Sequence, residues 1–170
     1  IIFGLFLTVL PIHLDHRFGL GPTKRGLVAA VPALTSTVSA LVVARARARV
    51  HAGWLVYAGL GVFACTFVVM GVGPLWALVA ATAVYGLAEG LTIPTMQDLV
   101  ASDAPDHLRG SVIAVWTGSV RIGQTIGPVG VTLALGVFST GSVLVLAGVG
   151  LLGVSVVTTA ARTLVPRTDG

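Results

Sequence analysis

GWLVYAGLGVFACTFVVMGV, the twenty residues from Gly53 to Val72, contains no charged side chain. Wound as an α-helix at 1.5 Å per residue it reaches about 30 Å, the thickness of the hydrocarbon core of a bilayer. A run of that length and character belongs in lipid. After it, Gly71-Val72-Gly73-Pro74 makes a tight turn, as Gly and Pro together favour. The rest of the chain shares this composition. Of 170 residues, 55% are hydrophobic and 9% charged, whereas a water-soluble domain carries about 25% charged residues. Mean hydropathy is +1.00. A soluble enzyme, a nucleic-acid-binding module and a disordered chain are excluded. The pI of 10.2 does not reverse this, because the net charge is only +4 and most charges separate apolar runs. The expected partner is the lipid bilayer, with no nucleic acid. The single cysteine, Cys65, lies mid-span and excludes an intramolecular disulfide.

Outward from this run the sequence reads as an all-α polytopic membrane protein. Six transmembrane helices are predicted at about 1–12, 26–44, 53–72, 74–99, 110–137 and 141–161. The first covers only about 18 Å at helical rise, and neither an initiator Met nor a basic leader precedes it. The chain is therefore read as a fragment that begins inside a helix. Pro32, Pro94 and Pro128 are the expected kinks and hinges. Asp103-Ala-Pro-Asp106 opens the fifth helix with a cap, a Pro and an acid. Lys and Arg placement sets the orientation. Arg45, Arg47, Arg49, Arg109, Arg162 and Arg167 fall on one side, against Arg17, Lys24 and Arg25 on the other. The side with six is assigned to the cytoplasm, together with the C-terminus, in an inner membrane.

Polar groups inside a bilayer need a buried partner or a water-filled cavity. On the fourth span Thr82, Tyr85, Glu89, Thr92 and Met96 follow steps of three and four and share a face. On the fifth, Thr117, Arg121, Gln124 and Pro128 do the same. Both stripes are read as cavity-lining. Glu89 and Arg121 each lie roughly 15 Å from a cytoplasmic helix end, so they are expected to pair and to serve proton coupling and gating. Gly123, Gly127 and Gly130 provide small residues for close helix packing. Gly and Pro also recur at matching places in the two halves. Gly4 and Pro11 interrupt the first helix as Gly86, Gly90 and Pro94 interrupt the fourth, and Pro32 answers Pro128. That pattern suggests two units of three helices.

His13-Leu-Asp-His16 has the spacing of a metal pair, but it lies beyond Pro11 with no further ligand nearby. An ordinary loop is expected there, with no metal and no cofactor. All four histidines (His13, His16, His51 and His107) are placed in loops and no Gly-x-Ser-Gly occurs, so an intramembrane protease is not expected.

Gly86-Leu-Ala-Glu-Gly-Leu-Thr-Ile-Pro94, followed by Ala104-Pro105, Arg109-Gly110 and Gly123-Gln-Thr-Ile-Gly-Pro-Val-Gly130, resembles the tenth and eleventh helices of a major facilitator superfamily transporter of the drug:proton antiporter branch. Leu10-Pro11, Phe18-Gly19 and Gly26-Leu27 resemble its seventh-to-eighth helix connection. The resemblance implies the C-terminal six-helix half of a twelve-helix protein, with the N-terminal half missing. The alternative is the first half, whose fifth helix carries a similar Gly-Pro-x-x-Gly motif. The loop from Ala44 to Gly53 lacks the Asp and leading Gly that the first half usually carries. By the same resemblance the first and fourth helices line the central cavity, which adds Phe6 to its candidates. The position of Glu89 is often Gln in this branch, so the acid is a departure.

The implied function is secondary transport of a small, lipophilic molecule by alternating access, as proton-coupled efflux. Proton-coupled uptake is the nearest alternative, followed by a six-helix channel or structural oligomer. The partners expected are the substrate, protons and the other half.

Overall fold

A computed structural model describes residues 2–47 and 50–164. Arg49 and Arg167, and the side chains of Arg47 and Arg162, lie outside the described residues. Among the described residues the chain is helical, as expected. The helices are α1 (Ile2–Phe18), α2 (Pro22–Arg47), α3 (Ala52–Val72), α4 (Leu75–Ser102), α5 (Arg109–Leu135) and α6 (Thr140–Leu164), with a single 3-10 turn at Asp106–Leu108 before α5. Among the described residues four segments are long and apolar enough to cross a membrane by themselves: Pro22–Val42, Ala52–Val72, Leu75–Ser102 and Thr140–Val157. α1 has 17 described residues, and Arg109, Arg121 and Gln124 dilute the hydropathy of α5.

The first helix corrects the sequence reading. It was expected to stop near Ile12, yet α1 carries Pro11 inside it and continues to Phe18. It ends at Gly19, whose φ of +62° is a backbone state that glycine adopts without Cβ strain. Pro11 removes one amide from the ladder, but side chains of the next two turns grip neighbouring helices and hold the helix past it. His13 and His16 are therefore helical rather than in a loop.

Neighbour relations among the helices repeat. α4 packs along α2 and α3, α3 along α6, and α1 along α5, with a much smaller contact between α1 and α6. Exchanging α1-α2-α3 with α4-α5-α6 maps the α2–α4 pair onto α5–α1, α3–α4 onto α6–α1, and α3–α6 onto itself. The chemistry of the crossings repeats too. A Cβ on Gly86 of α4 would lie 2.6 Å from Pro32 Cα of α2. A Cβ on Gly4 of α1 would lie 2.6 Å from the Gln124 carbonyl and 3.0 Å from Pro128 Cδ of α5. In each crossing a glycine of one unit's first helix lies against a proline-containing stretch of the other unit's second helix. The absent side chain lets the backbones approach, as small residues do in membrane helix pairs.

Between these crossings lies an aromatic core. Tyr85 of α4 stacks on Phe6 of α1 with ring centroids 4.2 Å apart and planes 8° apart. Phe63 of α3 approaches Tyr85 at 4.9 Å. Phe67 sits edge-on to Phe6 at 6.5 Å. Stacked and edge-to-face pairs contribute about 0.5–1.5 kcal/mol each beyond area burial. This cluster fixes α1, α3 and α4 to one another.

Candidate functional site

α4 carries the polar stripe predicted for it, but the neighbours of that stripe differ from expectation. Thr82, Tyr85 and Thr92 are fully buried within the bundle, as is Phe6, so these four are enclosed by α1, α3 and α4 instead of facing an open central cavity. The reason is steric. Large side chains of α1 and α3 fill the space that the helical period left unassigned. Thr82 turns its hydroxyl onto the Val79 carbonyl at 2.7 Å. Thr92 lies against Gly59 of α3, and its Oγ1 has no hydrogen-bond partner among the described residues. Glu89 is half-buried, Pro94 likewise, and Met96 is 37% exposed. Along the stripe Thr82, Tyr85 and Thr92 are closed, Glu89 is half-buried between them, and Met96 alone of the five is exposed.

On α5 the polar stripe is largely open. Thr117 and Arg121 are exposed, and Gln124 and Pro128 half-buried. Arg121 Nη1 donates to Gln124 Oε1 at 3.3 Å, one helical turn away. The expected Glu89–Arg121 pair is not formed, whereas Arg25 pairs with Asp15 and Arg109 with Asp106. Equal depth along two helices does not make them neighbours. α4 leans on α2 and α3 while α5 leans on α1, so α4 and α5 meet only slightly.

The small-residue face of α5 is also shifted. Gly123 and Gly127 are buried together with Val131, a row of i, i+4 steps. A Cβ on Gly130 would meet nothing within 4 Å, because a step of three from Gly127 rotates off that row. Gly130 is therefore not part of the packed face within this chain.

Two features were missed. The first is the α2 face that receives α4. Gly90 stands on the Ser36 backbone, and Ser39 Oγ donates to the Leu87 carbonyl at 2.7 Å. Its signal was the Gly86-x-x-x-Gly90 spacing, which the sequence reading took as an interruption of the helix. The second is a polar cluster at the end of α1. His13 is 1% exposed and its Nδ1 lies 2.7 Å from Thr140 Oγ1 of α6. Arg17 donates to the Gly71 and Val72 carbonyls of α3. Asp15 pairs with Arg25 of α2 at 3.1 Å. Three helices are tied to one short segment that reads as a loop if Pro11 is taken as a stop.

A half-buried carboxylate in a membrane helix attracts protons and cations, and its desolvation is tolerated where a cavity or partner relieves it. Neither a curated protein nor a solved structure matches the chain. The family model described as Major Facilitator Superfamily matches residues 1–170. With the whole chain matched, and with four helices of membrane-spanning length and hydropathy among the described residues, the chain belongs to the major facilitator superfamily, whose members are secondary transporters of small molecules.

Proposed function

We propose that the chain forms the C-terminal six-helix half of a proton-coupled exporter of small lipophilic molecules, in the drug:proton antiporter branch, with the Arg45 side and the C-terminus in the cytoplasm. Half-buried Glu89 carries this reading. It lies near the middle of α4, whereas Asp98 and Asp15 fall near the ends of α4 and α1, and it follows the enclosed aromatic core along the α4 stripe. There it can exchange a proton with a cavity completed by the other six helices. The open polar stripe of α5, with Thr117 and Arg121 exposed, supports a surface that the other half covers. The paired glycine–proline crossings lock the two three-helix units closely together, which supports a six-helix body that rocks as a whole against the other half.

The test is reconstitution of the complete transporter into liposomes with an imposed pH gradient and a lipophilic fluorescent cation inside. Export that follows the gradient and saturates with substrate supports the reading. Accumulation driven in the opposite direction identifies an uptake system. Flux linear in concentration identifies a channel.

A further inference from the structure

A cavity of about 800 Å³ opens at the end of the bundle that carries the short turns, between the last turns of α1, α3 and α5 and the first turn of α6. It is separate from the α4 stripe. Its lining is divided in two. His16, Arg17, Ser139 and Ser142 form a polar, cationic part, while Leu135, Phe138, Val145 and Leu146 form an apolar wall. No carboxylate contributes to the lining, and the nearby Asp15 is engaged by Arg25.

The polar part is rich in donors. A guanidinium has five N–H groups, and Arg17 uses two on the Gly71 and Val72 carbonyls, which leaves three. The first turn of a helix exposes unsatisfied amides and the positive end of the dipole. In α6, Ser139 Oγ takes the Ser142 amide at 3.2 Å, and the amides of Thr140 and Gly141 have no acceptor among the described residues. His13 backs this part from inside the bundle: it is 1% exposed and holds Thr140 through Nδ1, which fixes the start of α6 beside Arg17. Donors, a cationic field and the absence of any acid together select a phosphate monoanion over a cation or a neutral group.

We infer that this cavity binds the headgroup phosphate of an anionic phospholipid, with the first carbons of an acyl chain along the apolar wall. The division of the lining favours a lipid over free phosphate, which has no use for Leu135 and Leu146. Depth agrees, since the polar residues lie at helix ends, where headgroups sit. The missing carboxylate disfavours a lipid whose amine needs a counter-charge. A phosphatidylglycerol-type headgroup meets each condition.

The test uses the intact protein extracted from vesicles of phosphatidylcholine and phosphatidylglycerol, with bound lipid counted by native mass spectrometry. The wild type should keep phosphatidylglycerol and release phosphatidylcholine. Arg17→Gln should lower the retained fraction about tenfold, the loss of roughly one charge-assisted contact. Because Arg17 also caps α3, a second variant avoids that contact. Ser142→Glu places a carboxylate in the cavity yet creates a Ser-x-x-Glu capping box with Ser139, which favours helix initiation. It should lose phosphatidylglycerol while thermal stability holds or rises. Equal retention of the two lipids by the wild type, or undiminished retention by Ser142→Glu, overturns the assignment. Displacement of phosphatidylglycerol by inorganic phosphate at comparable concentration overturns the lipid and leaves a free-anion site.

Discussion

Gly86→Ala tests the packing on which the two-unit architecture depends. The new methyl would meet the Pro32 carbonyl oxygen and lie 2.6 Å from Pro32 Cα. Both are backbone atoms in the proline-containing stretch of α2, which cannot rotate aside as a flexible side chain would. The helices must separate by several tenths of an ångström, loosening the Ser39–Leu87 hydrogen bond at 2.7 Å. Overpacking of this kind costs about 1–3 kcal/mol, and the lost hydrogen bond adds about 1 kcal/mol. Against this stands the gain in helix propensity from Gly to Ala, about 1 kcal/mol. The net expectation is a destabilisation of about 1–3 kcal/mol. Gly150→Ala is the control, because a Cβ there meets nothing within 4 Å. It should stabilise by about 0.5–1 kcal/mol. Equilibrium unfolding of the two variants in mixed micelles, titrated with a denaturing detergent, reads the difference. If Gly86→Ala is as stable as Gly150→Ala, the α2–α4 crossing is not held by backbone approach and the argument fails.

Three further expectations follow from the placement of the charges. Glu89→Gln in the complete transporter should abolish coupling to a pH gradient while substrate binding persists; unchanged pH dependence of transport in liposomes would remove Glu89 from the mechanism. A double-mutant cycle between Glu89 and Arg121, read by unfolding, should give a coupling below about 0.5 kcal/mol, since residues without contact are nearly additive. A coupling of 1 kcal/mol or more, well outside that range, would mean that the two side chains pair after all. A cysteine at Ala48 should resist an impermeant thiol reagent in intact cells while one at Gly21 reacts, and the reverse pattern inverts the orientation.

Much of the fold was legible without coordinates. The helix over 53–72 needs only its own residues, because its hydrogen bonds close within four positions and its apolar side chains match lipid. The same locality made Gly73-Pro74 readable as a turn. Pro11 shows where local reading stops. A proline weakens the ladder by one bond, and whether a helix survives it depends on distant partners, here Thr140, Gly71 and Arg25.

The candidate site shows the same division. Sequence period placed Thr82, Tyr85, Glu89, Thr92 and Met96 on one face of α4, because a helix turns about 100° per residue whatever surrounds it. It could not say which neighbour that face would meet. That Tyr85 stacks on Phe6, that Glu89 stands apart from Arg121, and that Gly86 rests on Pro32 are decided by the azimuth and pairing of helices remote in sequence. Hydrophobicity does not choose among apolar helices in lipid, since each of them is equally well solvated there. The choice falls to shape: a glycine that admits a neighbouring backbone, and an aromatic that fills the space beside it.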